Sequence, residues 1–154
     1  MTLSIQEISD RIEIDDLLTR YATGVDRRDW GLLETCFTPD AYIDYTAFGG
    51  TEGHVKEVRA WLEKTFEMFG RSQHLVTNRE VVIDGDTASA RSGFYNPMHL
   101  PREGKADFLF IDGGYYVDEL VRTDDGWKIA LRREEFSYST RTMQLLEPRP
   151  APAE

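Results

Sequence analysis

The feature that most constrains this chain is a change of period near its middle. Up to Gly70 the apolar residues recur at helical intervals; from Gln73 onward they sit in long strand-like runs broken at Asp84-Gly85-Asp86 and Asp124-Asp125-Gly126. Aspartate–glycine pairs between such runs mark hairpin turns. Helices grouped ahead of strands define an α+β chain in which helices pack on one face of a curved, mostly antiparallel sheet. At 154 residues, residues 1–146 make a single domain and the proline-rich 147–154 a flexible tail.

Ser4 and Glu7 have capping-box spacing ahead of the first helix, whose stripe runs Ile5, Ile8, Ile12, Leu17, Tyr21 and Val25. Asp29 caps a second, short helix carrying Trp30, Leu33 and Phe37, which Thr38-Pro39-Asp40 is expected to end. A short strand over Ala41–Thr46, a glycine loop and a third helix from Val55 to Phe69 follow. The remaining strands are expected over Gln73–Ile83, Thr87–Asn96, Asp107–Arg122 and Trp127–Tyr138, with Pro97–Ala106 a polar loop. Both faces are apolar around Phe108–Val117, so the second face must be covered too, by a partner subunit or by curling round a pocket. A homodimer or homotrimer is the expectation.

Several functions are disfavoured. The 28 acidic against 18 basic residues give a net charge of −10, which does not suit nucleic acid. No apolar run is long enough to span a membrane, and the first residues lack a secretory pattern, so a cytoplasmic protein is expected. One cysteine, Cys36, expected buried and inert in a helix, excludes an internal disulfide. The three histidines lie far apart, GxSxG is absent, and FGGTEG has the wrong spacing for a phosphate loop, so neither metal nor cofactor is expected.

His74 lies early in a strand and shares a face with Val76; an inward imidazole needs partners for its ring nitrogens. Asp26 extends the apolar stripe of the first helix, where an acid must be paired. From pattern alone, a core histidine bonded to a backbone carbonyl and a helix-capping aspartate are the simpler readings. Together the two residues would form a dyad. His54 reads as surface, while Tyr21, Tyr45, Tyr95, Tyr115 and Tyr116 are candidates to face the interior.

The segments GVDRRDW, YIDYTAF, SQHL and DDGWKIA, in this order and spacing, resemble the SnoaL-like and scytalone dehydratase-like branch of the nuclear transport factor 2-like superfamily, over about residues 8–140. GVDRRD and the strand histidine are also similar to hexachlorocyclohexane dehydrochlorinase. The resemblance implies a cone-shaped α+β barrel, three helices closing a bent sheet over a deep apolar pocket. It implies Asp26 and His74 as the catalytic pair and Tyr45 as one of two water-holding tyrosines. The other tyrosine position falls at Val25, although Tyr21 could supply a hydroxyl from one turn earlier. A second pocket histidine falls at Met98 or His99, and the substrate-binding serine and asparagine fall near Gly114 and Tyr116 and are not kept. Tyr21, Tyr45, Asn96, His99 and Tyr116 are thus the substrate-binding candidates. The implied activity is a cofactor-independent lyase of dehydratase type on a cyclic, mostly apolar polyketide, steroid or terpenoid. A double-bond isomerase, a hydratase, or a non-catalytic ligand-binding or assembly module of the same fold are the alternatives.

Overall fold

The computed structural model describes residues 2–141. The proline-rich tail lies outside the described residues. Helix α1 (Ile5–Arg27) begins where Ser4 Oγ accepts the Glu7 N–H at 3.1 Å and ends at Arg28, in the left-handed conformation with φ 56°. Helix α2 (Trp30–Glu34) starts at Asp29, whose side chain accepts the Leu32 N–H. Then come β1 (Phe37–Asp44), a 3-10 turn (Thr46–Phe48), β2 (Glu52–His54) and α3 (Val55–Phe66). The rest is strand: β3 (Arg71–Ser72), β4 (Leu75–Asp84), β5 (Thr87–Leu100), β6 (Phe108–Thr123) and β7 (Gly126–Ser139).

The sheet runs β2-β1-β7-β6-β5-β3, with β4 also on β5, and only the β1–β7 pairing is parallel. It curls because its strands carry bulges. Ala130 and Ser137 are extra residues in β7 where its register on β6 slips, and Asn78, at φ 49°, sits in a slip of β4 on β5. The three helices close the concave face, giving the α+β cone. The core joins Ile14, Leu17, Leu18 and Val25 of α1 to Val58 and Leu62 of α3 and to Ile43, Leu120, Trp127 and Ile129 of the sheet.

Several expectations are corrected. The start of the α1 stripe is misread: Ile5, Ile8 and Ile12 are exposed, while Ile14 and Asp10 are buried. Asp10 can be interior because Arg122 donates to both its oxygens, at 2.7 and 2.8 Å, and the Trp127 indole adds a third bond. Phe37 belongs to β1, not to the helix, and Pro39, expected to end that helix, lies inside the same strand. The β1–β7 register shifts between Phe37 and Tyr42, so Pro39 falls where no regular pairing demands an N–H. Cys36 is buried but lies in the turn after α2. The third helix stops at Phe66, three residues early.

Pro97 does not end β5, which continues to Leu100. The Pro97 carbonyl accepts the Gln73 N–H, so its absent N–H faces the gap between β3 and β4 and the ladder to β6 is untouched. His74 itself lies in that gap, not in a strand.

Candidate active site

The inner face of the sheet is set by alternation. Phe94, Asn96 and Met98 of β5 stand opposite Gly114, Asp112 and Phe110 of β6, and Tyr116 stands opposite Glu134 of β7. With α1, the 3-10 turn and α3 they enclose a cavity of about 210 Å³. Its walls are largely apolar: Val25, Phe48, Trp61, Leu62, Phe66 and Phe69 face those sheet residues. Gly114 makes room for the roof, because a Cβ there would lie 2.9 Å from the Phe48 ring. Phe48 also packs on Phe94 and Phe136.

The helix end and the strand break meet at the cavity wall. Asp26 occupies the last turn of α1, and its Oδ2 accepts the His74 backbone N–H at 2.8 Å. Its Oδ1 lies 2.7 Å from His74 Nδ1 and also accepts the Ser72 hydroxyl at 3.0 Å. The His74 side chain is 5% exposed and Asp26 22%. Burial pushes the Asp26 carboxyl up, but the bonds and charge from His74, with the Ser72 hydroxyl, outweigh it and hold the group below its ordinary value. The ionised carboxylate therefore fixes the proton on Nδ1. Nε2, with no protein partner among the described residues, is left as an acceptor on an imidazole that lines the cavity.

A second cluster lies deeper. The Tyr21 and Tyr45 hydroxyls are 2.7 Å apart, and Tyr116 packs edge-on to Tyr21. Burial pushes all three phenols up, so they stay O–H donors at neutral pH. One proton of the Tyr21–Tyr45 pair holds the pair together, and the Tyr21 hydroxyl also interacts with that of Tyr116, so the three phenols form one cluster of O–H groups. Beneath them Arg132, fully buried, lies 4.0 and 4.2 Å from the Tyr21 and Tyr116 ring centres. Both oxygens of the equally buried Asp118 accept from it at 2.7 Å.

Of the substrate-binding candidates, Tyr21, Tyr45, Asn96 and Tyr116 line the cavity. His99 does not. Alternation turns Met98 inward and His99 outward, where its Nε2 meets Asp107 at 2.9 Å. Tyr95 is exposed, and Tyr115 lies under the Arg91 guanidinium. Three charged lining residues were not anticipated: Asp112, Glu134 and Arg141. Arg141 donates to Asp112 Oδ2 at 2.7 Å. Among the described residues no cluster of three or more His, Cys, Asp or Glu is placed to hold a metal, and no helix is long and apolar enough to cross a membrane.

A helix-lidded cone with a paired carboxylate and imidazole at a largely apolar cavity defines the class: an α+β pocket scaffold. The chain belongs to the SnoaL-like domain family, whose model matches residues 6–133. An uncharacterised protein of Mycobacterium tuberculosis is 43% identical over 132 residues, 86% of this chain and 88% of that one. A candidate scytalone dehydratase from Novosphingobium aromaticivorans superposes with a TM-score of 0.77, at 19% identity over 96% of this chain and 97% of that one. A hexachlorocyclohexane dehydrochlorinase superposes with a TM-score of 0.74, at 22% identity over 95% and 97%. At these identities the two structural likenesses concern the fold alone.

Proposed function

We propose that the protein is a cofactor-independent lyase of dehydratase type acting on a cyclic, mostly apolar small molecule of polyketide, steroid or terpenoid class. One observation carries this reading. His74 lines a largely apolar cavity with one ring nitrogen committed to Asp26 and the other without a partner among the described residues. His74 removes a proton from a carbon beside a carbonyl; Asp26 keeps the tautomer and stabilises the imidazolium that results. An O–H of the Tyr21, Tyr45 and Tyr116 cluster holds the carbonyl oxygen as charge develops there. Tyr116 stacks on Phe94, with centroids 4.5 Å apart, and gives the cavity a flat aromatic wall that suits a ring. General base catalysis supplies roughly a hundred- to ten-thousandfold, and the shaped cavity adds positioning. The names of the two fold relatives, a dehydratase and a dehydrochlorinase, both denote eliminations, in keeping with this choice.

The test is turnover of a panel of cyclic hydroxyketones by wild type, Asp26→Asn and His74→Ala, with folding checked by circular dichroism. Loss of turnover in both folded variants is expected. Wild type that binds these compounds and converts none of them is instead a binding module in which the dyad is a structural pair.

A further inference from the structure

The base at the cavity wall has no acid partner in the reading above, and the polar part of the cavity lining has no assigned task. Two buried side chains there are left without the bonds a buried polar group needs. Asn96, 6% exposed, has no hydrogen-bond partner for its side chain among the described residues, and its Oδ1 is buried. Asp112, 5% exposed, gives Oδ2 to Arg141, but its buried Oδ1 has no partner. Asn96 and Asp112 are directly opposed on β5 and β6, so the two unsatisfied groups lie side by side. Glu134, half-buried beside Tyr116, lines the same cavity with no hydrogen bond to its carboxyl among the described residues. An unpaired buried polar atom costs about 1–3 kcal/mol, and such groups in a folded protein call for an explanation. A ligand that brings O–H groups supplies one.

We infer that Glu134 is the acid of this site, giving its proton to a departing hydroxyl of the substrate while Asn96 and Asp112 accept hydrogen bonds from the O–H of that group or of a neighbouring hydroxyl. The inference rests on the lyase reading and narrows its substrate to a cyclic β-hydroxyketone. The step balances. His74 Nε2 takes the proton from the carbon next to the carbonyl, and the C–H electron pair becomes the C=C bond. The C–O bond at the next carbon breaks with its pair on oxygen, which takes the Glu134 proton and leaves as water. His74 is left as imidazolium and Glu134 as carboxylate; transfer of one proton from the first to the second restores both.

The surroundings suit a proton donor. Glu134 is faced by Tyr21 of α1, Asp44 and Tyr45 at the end of β1, Asp112 and Tyr116 of β6, Arg132 of β7 and Arg141 beyond it. Burial, with the Asp112 and Asp44 carboxylates, outweighs the two arginines and pushes its carboxyl up to about 8. Arg132 is already held by both oxygens of Asp118 and Arg141 by Asp112, which limits what either offers Glu134.

Two measurements test this. In the first, wild type, Glu134→Gln, Glu134→Asp and His74→Ala are assayed on β-hydroxycyclohexanone and β-acetoxycyclohexanone, the second of which needs no proton on its leaving group. Glu134→Gln should lose about a hundredfold in kcat on the hydroxy compound, with tenfold or less lost on the acetoxy one, and Glu134→Asp should recover part of the loss. In the second, the carbon-13 carboxyl signal of Glu134, identified by its absence from Glu134→Gln, should be that of a protonated acid at pH 6. An ionised Glu134 at pH 6 overturns the assignment, with or without turnover. So does equal loss on both substrates, or hydroxyketone turnover abolished by His74→Ala and kept by Glu134→Gln. No turnover by wild type on either compound counts against the lyase reading and the acid with it.

Discussion

Asp26 holds His74 at two points, with one oxygen 2.8 Å from its backbone nitrogen and the other 2.7 Å from Nδ1 of its ring. The carboxylate thus orients a side chain and also pins the chain segment that carries it. Asp26→Asn keeps the shape but removes the charge that favours the imidazolium. A loss of a hundredfold or more in turnover is expected with the circular dichroism spectrum unchanged. Asp26→Ala also leaves the His74 N–H unsatisfied, and urea unfolding should show a further loss of about 1–3 kcal/mol.

The Tyr21–Tyr45 pair should behave as a unit. Removing either hydroxyl, by Tyr21→Phe or Tyr45→Phe, breaks the same 2.7 Å bond. If the pair presents one O–H to a carbonyl oxygen, each variant loses about a hundredfold in kcat and the double variant little more. Strict additivity, measured by steady-state kinetics, would show that the two hydroxyls act separately.

The buried Arg132–Asp118 pair makes a stability prediction. Both side chains are 0% exposed, so Asp118→Ala strands a charge under the tyrosine rings and should cost about 3–5 kcal/mol in urea unfolding. Replacing both, with Arg132→Met and Asp118→Leu, should restore most of that loss, because no charge then needs compensation.

Two acids act on stability in opposite pH windows. Arg122, helped by Trp127 and Gln6, outweighs burial and holds the Asp10 carboxyl well below the usual carboxylate range. Its contribution is complete above the unfolded value near 4 and is lost as pH falls through the folded one. Glu134 has the reverse sign. Its folded value of about 8 lies above the ordinary 4.5, so the folded state holds the proton longer and stability falls as pH rises between them. Melting temperatures should show Glu134→Gln no more stable than wild type at pH 5 and more stable at pH 9. Asp10→Asn should flatten the acid limb. Equal melting temperatures for wild type and Glu134→Gln across that range would falsify the account of Glu134.

The outer sheet face carries apolar side chains along a row that crosses four strands: Leu75, Tyr95 and Tyr138, each more than a third exposed, on β4, β5 and β7, with Gly113 of β6 covered by the Tyr138 ring. We expect copies of the chain to associate through it. Light scattering that reads a monomer at micromolar concentration would count against this.

The parts legible in the sequence are those with local causes. Ser4 and Asp29 start helices because their side chains bond backbone donors within one turn, and glycines at 85 and 126, both at positive φ, turn the hairpins. Asp26 and His74 stood out through the segments around them. Glu134 did not, for a physical reason. Trp127 and Ile129 set an odd-numbered inner face on β7, and the extra residue at Ala130 moves that face to Arg132 and Glu134. A one-residue slip leaves no mark on composition. Pro97 similarly hid the extension of β5, so inside and outside could not be counted through to Met98 and His99. The exposed isoleucines at the start of α1 misled because the interior position there is held by an aspartate whose partner is 112 residues away.

The two-residue gap between β3 and β4 puts the imidazole on the rim of the cone and not on its frame. A frame-mounted base moves whenever the barrel is reshaped for a new guest. A rim-mounted one, tethered to the end of a helix, stays put while the lining of the chamber is exchanged around it, so one carboxylate–imidazole pair can keep its geometry beside guests of different outline.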